Sequence, residues 1–260
     1  MRFALPSSLG PNGAQRATQL EAWLREALGR ETEVVVASTY ESLARELLSG
    51  KVDAAWAPPF VCARIEAMGV RVLVRGQRNG ASTYRAALVC RADSKVTLET
   101  LKGASAAWSD RDSVGGYLLP VAFLRERSLD PARTFARQEF LGSYRAALEA
   151  VEKGEVDVSS VFAPTVRAGL GELTGVDEIW PEKASAFRAL AFTEEAPNDG
   201  VAVSMNLAGA LVADLEKVFI SMGQSEAGLK VLKECFNADR FEAAPRMGYR
   251  ALYRVALASL

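Results

Sequence analysis

Two segments of this chain repeat one pattern, and the repeat constrains the fold more than any other feature. They are residues 39–53 and residues 143–157. In each, a hydroxyl residue can cap a helix, apolar residues at intervals of three and four form a buried stripe, and Gly ends the helix before a strand. The matching pairs are Thr39 and Ser143, Tyr40 and Tyr144, Leu43 and Ala147, Leu47 and Val151, Gly50 and Gly154, Val52 and Val156, and Asp53 and Asp157.

The repeat predicts two similar α/β lobes, each containing one copy. The hydroxyl-Tyr pairs would then lie at corresponding helix N-termini, where free backbone N–H groups favour an anionic ligand. Asp53 and Asp157 are expected to brace the start of a strand rather than to touch a ligand. The alternative is that this pattern is common to all strand-helix-strand units and indicates no duplication. The matching hydroxyl-Tyr pairs count against that alternative.

Composition indicates a globular protein with no bias toward nucleic acid or an anionic membrane surface. The 260 residues include 31 basic and 32 acidic residues, and about half are apolar. This length suits two lobes of roughly 100 to 150 residues each. The sequence has no apolar run of about 18 residues, which predicts no membrane-spanning helix.

Histidine is absent from the sequence, which excludes several kinds of active site. Ser-His-Asp catalysis, Cys-His catalysis and histidine-ligated zinc are all removed, and neither a metal nor a cofactor is expected. Cys62, Cys90 and Cys235 are odd in number and lie in apolar surroundings, so buried thiols are predicted rather than disulfides.

The N-terminal residues predict a strand rather than an export signal. Residues 3–6 follow Met1 and Arg2 at once and are too few for a secretory apolar region. The chain as written is therefore expected to stay in the cytoplasm, or to work in the periplasm if a signal has been removed. The sequence does not say whether Met1 is the native start.

Strands and helices alternate, which predicts an α/β protein whose lobes are mostly parallel sheets flanked by helices. Two extended apolar runs, Tyr84–Cys90 and Phe187–Phe192, are interpreted as strands that cross between the lobes. The predicted division is residues 1–84 with 187–260 as lobe 1 and residues 85–186 as an inserted lobe 2.

The order of several motifs resembles the solute-binding proteins of phosphate, phosphite and phosphonate ABC transporters, which have a type II periplasmic-binding-protein fold. The resemblance covers roughly residues 1 to 200. It rests on Thr39-Tyr40 with residues 50–53, Tyr84, residues 101–103, residues 110–120, and residues 140–144 with residues 154–157. It implies a two-lobed protein that holds a small anionic solute in the cleft between its lobes and delivers it to a transporter permease.

The chain departs from that family pattern at positions that bear on the ligand. Family members usually have a hydroxyl residue where this chain has Val114 and a His where it has Tyr144. Residues 159–162 offer no acidic or amide side chain of the kind that holds an ammonium group. A phosphonate that carries an amine is therefore not expected.

The strongest candidate binding segment is the Gly-rich start of a helix. The hydroxyl of Ser113 and the N–H groups of Gly115 and Gly116 can hold an anion, because Gly lets the backbone approach closely. A plain Gly-rich turn with a Ser cap is the alternative. The full predicted binding set is Ser7, Thr39, Tyr40, Trp56, Tyr84, Ser113, Val114, Gly115, Gly116, Ser143, Tyr144 and Phe162.

Two aromatic residues and one cation could serve either ligand binding or the structure of the protein. Trp56 and Phe162 lie near the ends of corresponding strands, where ligands of open α/β sheets bind, and core packing is the other interpretation. Arg85 can pair with a carboxylate or phosphate, or it can face solvent opposite an acidic side chain.

Two main functions and a weaker third one fit these observations. The first is a non-enzymatic binding protein that closes on a small anionic ligand, phosphonate-like, phosphate-like or carboxylate. The second is a cytoplasmic lyase on the same fold, similar to chorismate dehydratases, with Glu41, Asp112 or Tyr144 as candidate acid or base. The third is a cytoplasmic sensor of a small ligand. No catalytic residue is assigned.

Overall fold

The structure, a computed structural model, describes residues 1–7, 12–165 and 174–259, with side chains up to residue 255. The described residues form two compact units. Unit 1 contains Met1–Ser82 and Pro197–Tyr253, and unit 2 contains Thr83–Ala196 and the chain from Arg254 onward. Both apolar runs that were expected to cross between lobes lie in unit 2, because they pair with each other in its sheet.

The strands are numbered in chain order. They are β1 Arg2–Leu5, β2 Glu33–Val36, β3 Ala54–Ala57, β4 Arg71–Gln77, β5 Thr83–Arg91, β6 Ser105–Trp108, β7 Arg137–Phe140, β8 Val158–Pro164, β9 Phe187–Phe192, β10 Ala196–Pro197, β11 Gly200–Val203 and β12 Arg240–Ala243.

The helices are numbered in the same way. They are α1 Gly13–Leu28, α2 Tyr40–Leu48, α3 Pro59–Ala67, α4 Leu119–Glu126, α5 Pro131–Thr134, α6 Tyr144–Glu152, α7 Val176–Ile179, α8 Gly209–Ser221, α9 Glu226–Phe236 and α10 Arg250–Ser259. A π-helical turn, Val114–Leu118, leads directly into α4. Two 3₁₀ segments are Pro181–Ala186 and Met222–Gln224.

The sheet of unit 1 is mixed, with the order β12-β4-β11-β3-β1-β2. The expected parallel arrangement holds for β1 to β4, which all run in one direction. β11 and β12 run the opposite way. The reason lies in where β11 begins: Gly200 pairs with the carboxyl ends of β3 and β4, so the strand enters the sheet from that edge.

The sheet of unit 2 is also mixed and has the order β10-β5-β8-β6-β7, with β9 paired to β5. β6, β7 and β8 are parallel, whereas β5 is antiparallel to both β8 and β9. One apolar cluster includes Leu148 and Val151 of α6, and another includes Trp108 and Leu124 of β6 and α4. These helices therefore pack on the sheet through clusters of their own.

The repeated segments form the same structure in both units, as the sequence predicts. Helices α2 and α6 each contain nine residues, and the Gly that follows each has a left-handed backbone, φ 73° at Gly50 and 74° at Gly154. The preceding strands lie in equivalent places too, since the sheet orders include β3-β1-β2 and β8-β6-β7.

The predicted role of the two aspartates is confirmed. A carboxylate oxygen of Asp53 accepts a hydrogen bond of 2.7 Å from the N–H of Arg2, which opens β1. Asp157 accepts an equivalent bond of 2.7 Å from the N–H of Ser105, which opens β6. Each aspartate therefore ties the end of a helix-strand connection to the first residue of the neighbouring strand.

The three cysteines are free and buried, which agrees with the prediction of thiols. Burial raises the pKa of Cys235 to about 11 and raises the pKa of Cys62 well above its usual value. Across residues 1–7, 12–165 and 174–259, no helix combines the length and apolar character that a membrane span requires.

Candidate functional site

The first component of the candidate site is the capped start of the π-helical turn. Ser113 follows β6 by a short loop, and its Oγ accepts a hydrogen bond of 3.1 Å from the N–H of Gly116. The N–H groups of Tyr117 and Leu118 both bond to the carbonyl of Ser113, each at 3.0 Å. The first N–H groups of a helix have no acceptor within the helix, so those of Val114 and Gly115 are available to a ligand.

The second component is the start of α6. Ser143 caps this helix, because its Oγ accepts a bond of 3.1 Å from the N–H of Ala146. The loop before it is fixed to the end of β6 by a bond of 2.8 Å from the N–H of Gly142 to the carbonyl of Ser109. Both helix starts therefore lie at the carboxyl edge of the same parallel strands, where α/β folds bind ligands.

Tyr144 connects the two helix starts. It is the first residue of α6, and its hydroxyl lies 3.2 Å from Oγ of Ser113. Its ring packs edge-on against Phe162 of β8, with ring centroids 5.6 Å apart. The repeat that suggested this tyrosine from the sequence therefore places a phenol hydroxyl beside the N-cap of the neighbouring helix.

Gly115 lies at the centre of this group. A Cβ on Gly115 would lie 3.0 Å from the Tyr144 hydroxyl oxygen, 3.3 Å from Cε2 of Tyr84 and 3.4 Å from Cα of Phe162. Three predicted residues of unit 2, Tyr84, Tyr144 and Phe162, thus surround Gly115, and Ser113 joins the group through Tyr144.

Gly116 approaches a serine that the sequence analysis missed. A Cβ on Gly116 would lie 1.9 Å from Oγ of Ser109 and 2.8 Å from Oγ of Ser113. Ser109 is 4% exposed, and its hydroxyl has no hydrogen-bond partner among the described residues. Its position directly after β6 was the available signal, because side chains that follow parallel strands line the ligand edge.

Charge favours an anion at the helix starts of unit 2. Neither the turn after Ser113 nor the first turn of α6 carries an acidic residue. By contrast, Glu41 lies in the first turn of α2, where a negative charge interacts favourably with the helix dipole. The first turn of α2 therefore has an acidic side chain of its own, whereas the two first turns of unit 2 have none.

Arg85 and Arg111 are among the arginines of unit 2 that stack on aromatic rings. The guanidinium of Arg85 lies 3.6 Å from the ring centroid of Phe192, and its Nε donates a bond of 3.2 Å to the carbonyl of Pro164. The guanidinium of Arg111 lies 4.3 Å from the ring centroid of Phe140. Arg85 thus has a ring contact and a backbone contact in unit 2.

The predicted residues of unit 1 lie along the carboxyl edge of its sheet or in its core. Thr39 caps α2 in a capping box with Ser42, and Tyr40 is the first residue of that helix. Ser7 is exposed and follows β1. Trp56 is 3% exposed and packs edge-on against Phe236 and Phe241, so most of its ring belongs to the core.

A second missed residue is Ser160 of β8. Its hydroxyl donates a hydrogen bond of 2.7 Å to the carbonyl of Gly115. The sequence signal was its spacing, because Ser160 and Phe162 are two residues apart on one strand and so face the same side. The buried Val114 side chain, 4% exposed, leaves only the backbone of that residue for a ligand.

The fold is shared with solved structures that match this chain over its whole length. XAC2383 from Xanthomonas citri bound to ATP has 20% sequence identity and a TM-score of 0.81, and the match covers 100% of this chain and 97% of that one. A binding protein component of an ABC phosphonate transporter from Pseudomonas aeruginosa, PA3383, has 20% identity and a TM-score of 0.77, with coverage of 100% and 86%. PhnD1 from Prochlorococcus marinus in complex with methylphosphonate has 16% identity and a TM-score of 0.77, with coverage of 100% and 98%.

These likenesses assign the fold to the periplasmic binding proteins. A sequence profile of the family described as "ABC transporter, phosphonate, periplasmic substrate-binding protein" matches residues 3–249. The chain belongs to this family of phosphonate-binding components of ABC transporters. The resemblance noted in the sequence is thereby confirmed.

Proposed function

We propose that this protein captures a phosphonate, or a closely related tetrahedral oxyanion, through the helix starts of unit 2. The observation that carries the proposal is the distance of 3.2 Å between Oγ of Ser113 and the hydroxyl of Tyr144. This contact brings two hydroxyl groups and two helix N-termini to one place. Such an arrangement suits several oxygen atoms of one anion, since each can accept a separate donor.

Family membership supports the class of ligand, and the aromatic groups support its substituent. PhnD1, which shares the fold, was solved with methylphosphonate. Around Gly115 the rings of Tyr84, Tyr144 and Phe162 offer apolar surface beside the hydroxyl groups. We therefore expect an alkylphosphonate to bind more tightly than one whose substituent ends in an ammonium group.

We further propose that the ligand is enclosed by hinge closure. The chain passes between the units at Ser82–Thr83, at Ala196–Pro197 and at Tyr253–Arg254. The first two passages bound the main segment of unit 2, and we take them as the candidate hinges. A ligand that contacts both units favours the closed state by its extra affinity for that state. Under this proposal Ser7, Thr39 and Tyr40 of unit 1 contact the ligand after closure, and the closed protein delivers it to a permease.

The experiment is a titration by isothermal calorimetry with methylphosphonate, ethylphosphonate, 2-aminoethylphosphonate, phosphate and acetate. We expect the two alkylphosphonates to bind, and Tyr144→Phe or Ser113→Ala to weaken their binding by roughly 10- to 100-fold, since a hydrogen bond to a charged group contributes about 1.5–3 kcal/mol. Tyr253→Phe, a tyrosine of α10, is the matched control and should bind as the wild type does.

Two results would reject the proposal. One is the absence of heat with every phosphonate and with phosphate, while the protein is folded. The other is unchanged affinity in both Tyr144→Phe and Ser113→Ala, which would place the ligand elsewhere.

A further inference from the structure

The π-helical turn at the candidate site has a gap in its hydrogen-bond ladder. The N–H of Leu118 bonds to the carbonyl of Ser113, and the N–H of Leu119 bonds to the carbonyl of Val114, each across five residues. The next donor in this series would be residue 120, and its acceptor would be Gly115. Residue 120 is proline, which has no N–H.

A side chain from the sheet supplies the bond that proline cannot make. The hydroxyl of Ser160 donates to the carbonyl of Gly115 at 2.7 Å, and Ser160 is fully buried. An unpaired carbonyl in this position would be costly, because no water replaces the lost partner in a buried site. The ladder is therefore completed by β8 rather than by the helix itself.

We propose that Ser160 is a positioning residue of the ligand site, which acts by holding the Gly115–Gly116 turn against β8. Ser160 and Phe162 face the same side of β8, and Cα of Phe162 would lie 3.4 Å from a Cβ on Gly115. The hydroxyl thus fixes the glycine carbonyl while Phe162 limits how far the glycine can move. This places the N–H groups of Val114 and Gly115, with the Ser113 cap, at a constant distance from Tyr144.

The inference rests on the proposed function for its effect on affinity, but its structural part is independent of any ligand. The chain offers a matched control in the adjacent residue. Ser159 is also fully buried on β8, and its hydroxyl has no partner among the described residues. Ser159→Ala and Ser160→Ala therefore remove the same group from neighbouring positions, and only the second breaks the bond to Gly115.

The test compares Ser160→Ala, Ser159→Ala and Pro120→Ala, together with the double variant Pro120→Ala/Ser160→Ala. Amide hydrogen exchange without ligand reports on Leu118 and Leu119, whose bonds define the turn, with Ala147 of α6 as the reference amide. Calorimetry with methylphosphonate and with phosphate reports on affinity. Urea unfolding confirms that each variant is folded.

In Ser160→Ala we expect exchange at Leu118 and Leu119 to rise at least fivefold while Ala147 is unchanged, and methylphosphonate affinity to fall about 3- to 10-fold. Ser159→Ala should match the wild type in both measurements. In the double variant the new N–H at residue 120 can bond to Gly115, so exchange and affinity should return to within about twofold of the Pro120→Ala values.

The inference is overturned if Ser160→Ala exchanges as the wild type does, if Ser159→Ala has the same effect as Ser160→Ala, or if the Pro120 substitution gives no rescue. Failure of the proposed function looks different. In that case the wild type binds neither methylphosphonate nor phosphate, while the exchange pattern still decides whether Ser160 holds the turn.

Discussion

At the scale of single residues, Gly116 is the position of the candidate site with the least space for an added side chain. A Cβ there would lie 1.9 Å from Oγ of Ser109, a buried side chain with little room to move. We expect Gly116→Ala to lower the free energy of unfolding by about 1–3 kcal/mol, as overpacking in a tight site does. It should also weaken methylphosphonate binding, because the helix start must shift.

Urea unfolding and calorimetry measure these two effects, and Gly209→Ala is the matched control. Gly209 is the first residue of α8, and a Cβ on it meets nothing within 4 Å. This substitution should leave the protein as stable as the wild type, or more stable, because Ala loses less backbone entropy than Gly in a helix. If both variants behave alike, Gly116 does not have the close contacts described for it.

The residues of the site differ in how far the sequence could predict them. The repeat predicted Ser143 and Tyr144, because a helix cap and the residue after it are specified locally. For Ser109 and Ser160 the sequence offered only a position after a strand or on a strand, because their contacts depend on how the turn packs against the sheet. Trp56 shows the same limit, since its place near a strand end fits both a ligand edge and a core.

At the scale of elements, the two copies of the repeat provide a stability test within one molecule. Oγ1 of Thr39 accepts a bond of 3.0 Å from the N–H of Ser42, and Oγ of Ser143 accepts one of 3.1 Å from the N–H of Ala146. We expect Thr39→Ala and Ser143→Ala each to lower the free energy of unfolding by about 1 kcal/mol, the usual cost of losing an N-cap.

Thr39→Ser and Ser143→Thr are the controls, because each keeps a hydroxyl at the cap and should cost only a few tenths of a kcal/mol. The measurement is urea unfolding followed by circular dichroism. A loss in one alanine variant but not in the other would contradict an equal contribution from the two side-chain cap bonds. Only Thr39 also has a capping-box partner, Ser42.

Glu66 links α3 to the segment that leads into α10 and gives this connection a pH dependence. It is 7% exposed, and a carboxylate oxygen accepts a bond of 2.9 Å from the N–H of Tyr249. Burial raises the pKa of Glu66, although the N–H groups of Tyr249, Gly248 and Met247 partly oppose this effect. The folded state therefore holds its proton to a higher pH than the unfolded state does.

The direction of this pH dependence follows from how many protons the folded and unfolded states bind. Above the unfolded pKa of about 4.3, the folded chain still binds the proton that the unfolded chain has released, so the free energy of unfolding falls as pH rises through the folded pKa. Glu66→Gln removes this titration. We expect wild-type stability relative to Glu66→Gln to decline as pH rises above about 4.3 and through the raised folded pKa, measured by urea unfolding at each pH.

Thr39→Ala serves as the control series, because it changes no titrating group and its difference from the wild type should not vary with pH. A constant difference between wild type and Glu66→Gln would contradict the raised pKa of Glu66.

Some elements could not be predicted from sequence for physical reasons. β11 runs antiparallel to β3 and β4 because the chain enters the sheet beside their carboxyl ends, and the sequence of residues 200–203 does not specify that entry point. The π-helical turn arises where Pro120 removes a donor and Ser160 supplies another. In contrast, Phe187–Phe192 was predicted with its observed bounds, since a run of apolar residues between turn signals is a local property.

At the scale of the whole molecule, the family and the fold follow from the order of the motifs more than from any one of them. Strand order around the repeat is the same in both units, β3-β1-β2 and β8-β6-β7. One apolar cluster lies in unit 1 and two lie in unit 2. Each sheet therefore has a core of its own that supports the same strand order. Unit 1 needs two separate chain segments, whereas most of unit 2 is one continuous segment.

This difference in connectivity predicts that a fragment of residues 83–197 folds without the rest of the chain. The fragment contains every strand of the second sheet and the clusters around Leu148 and Trp108. Its length is within the usual range for an independent domain. We expect one cooperative urea transition and a near-ultraviolet dichroism signal from packed tryptophan.

Trp108→Ala in the same fragment is the matched control. The ring of Trp108 is fully buried and packs edge-on against Tyr117 and Phe135, with centroids 5.7 Å away in each case. Its removal should cost about 3–5 kcal/mol, enough to abolish the transition of a marginally stable domain. If the unaltered fragment unfolds without a cooperative transition, the core of unit 2 depends on unit 1, and the helix starts of the candidate site then need the complete chain for their geometry.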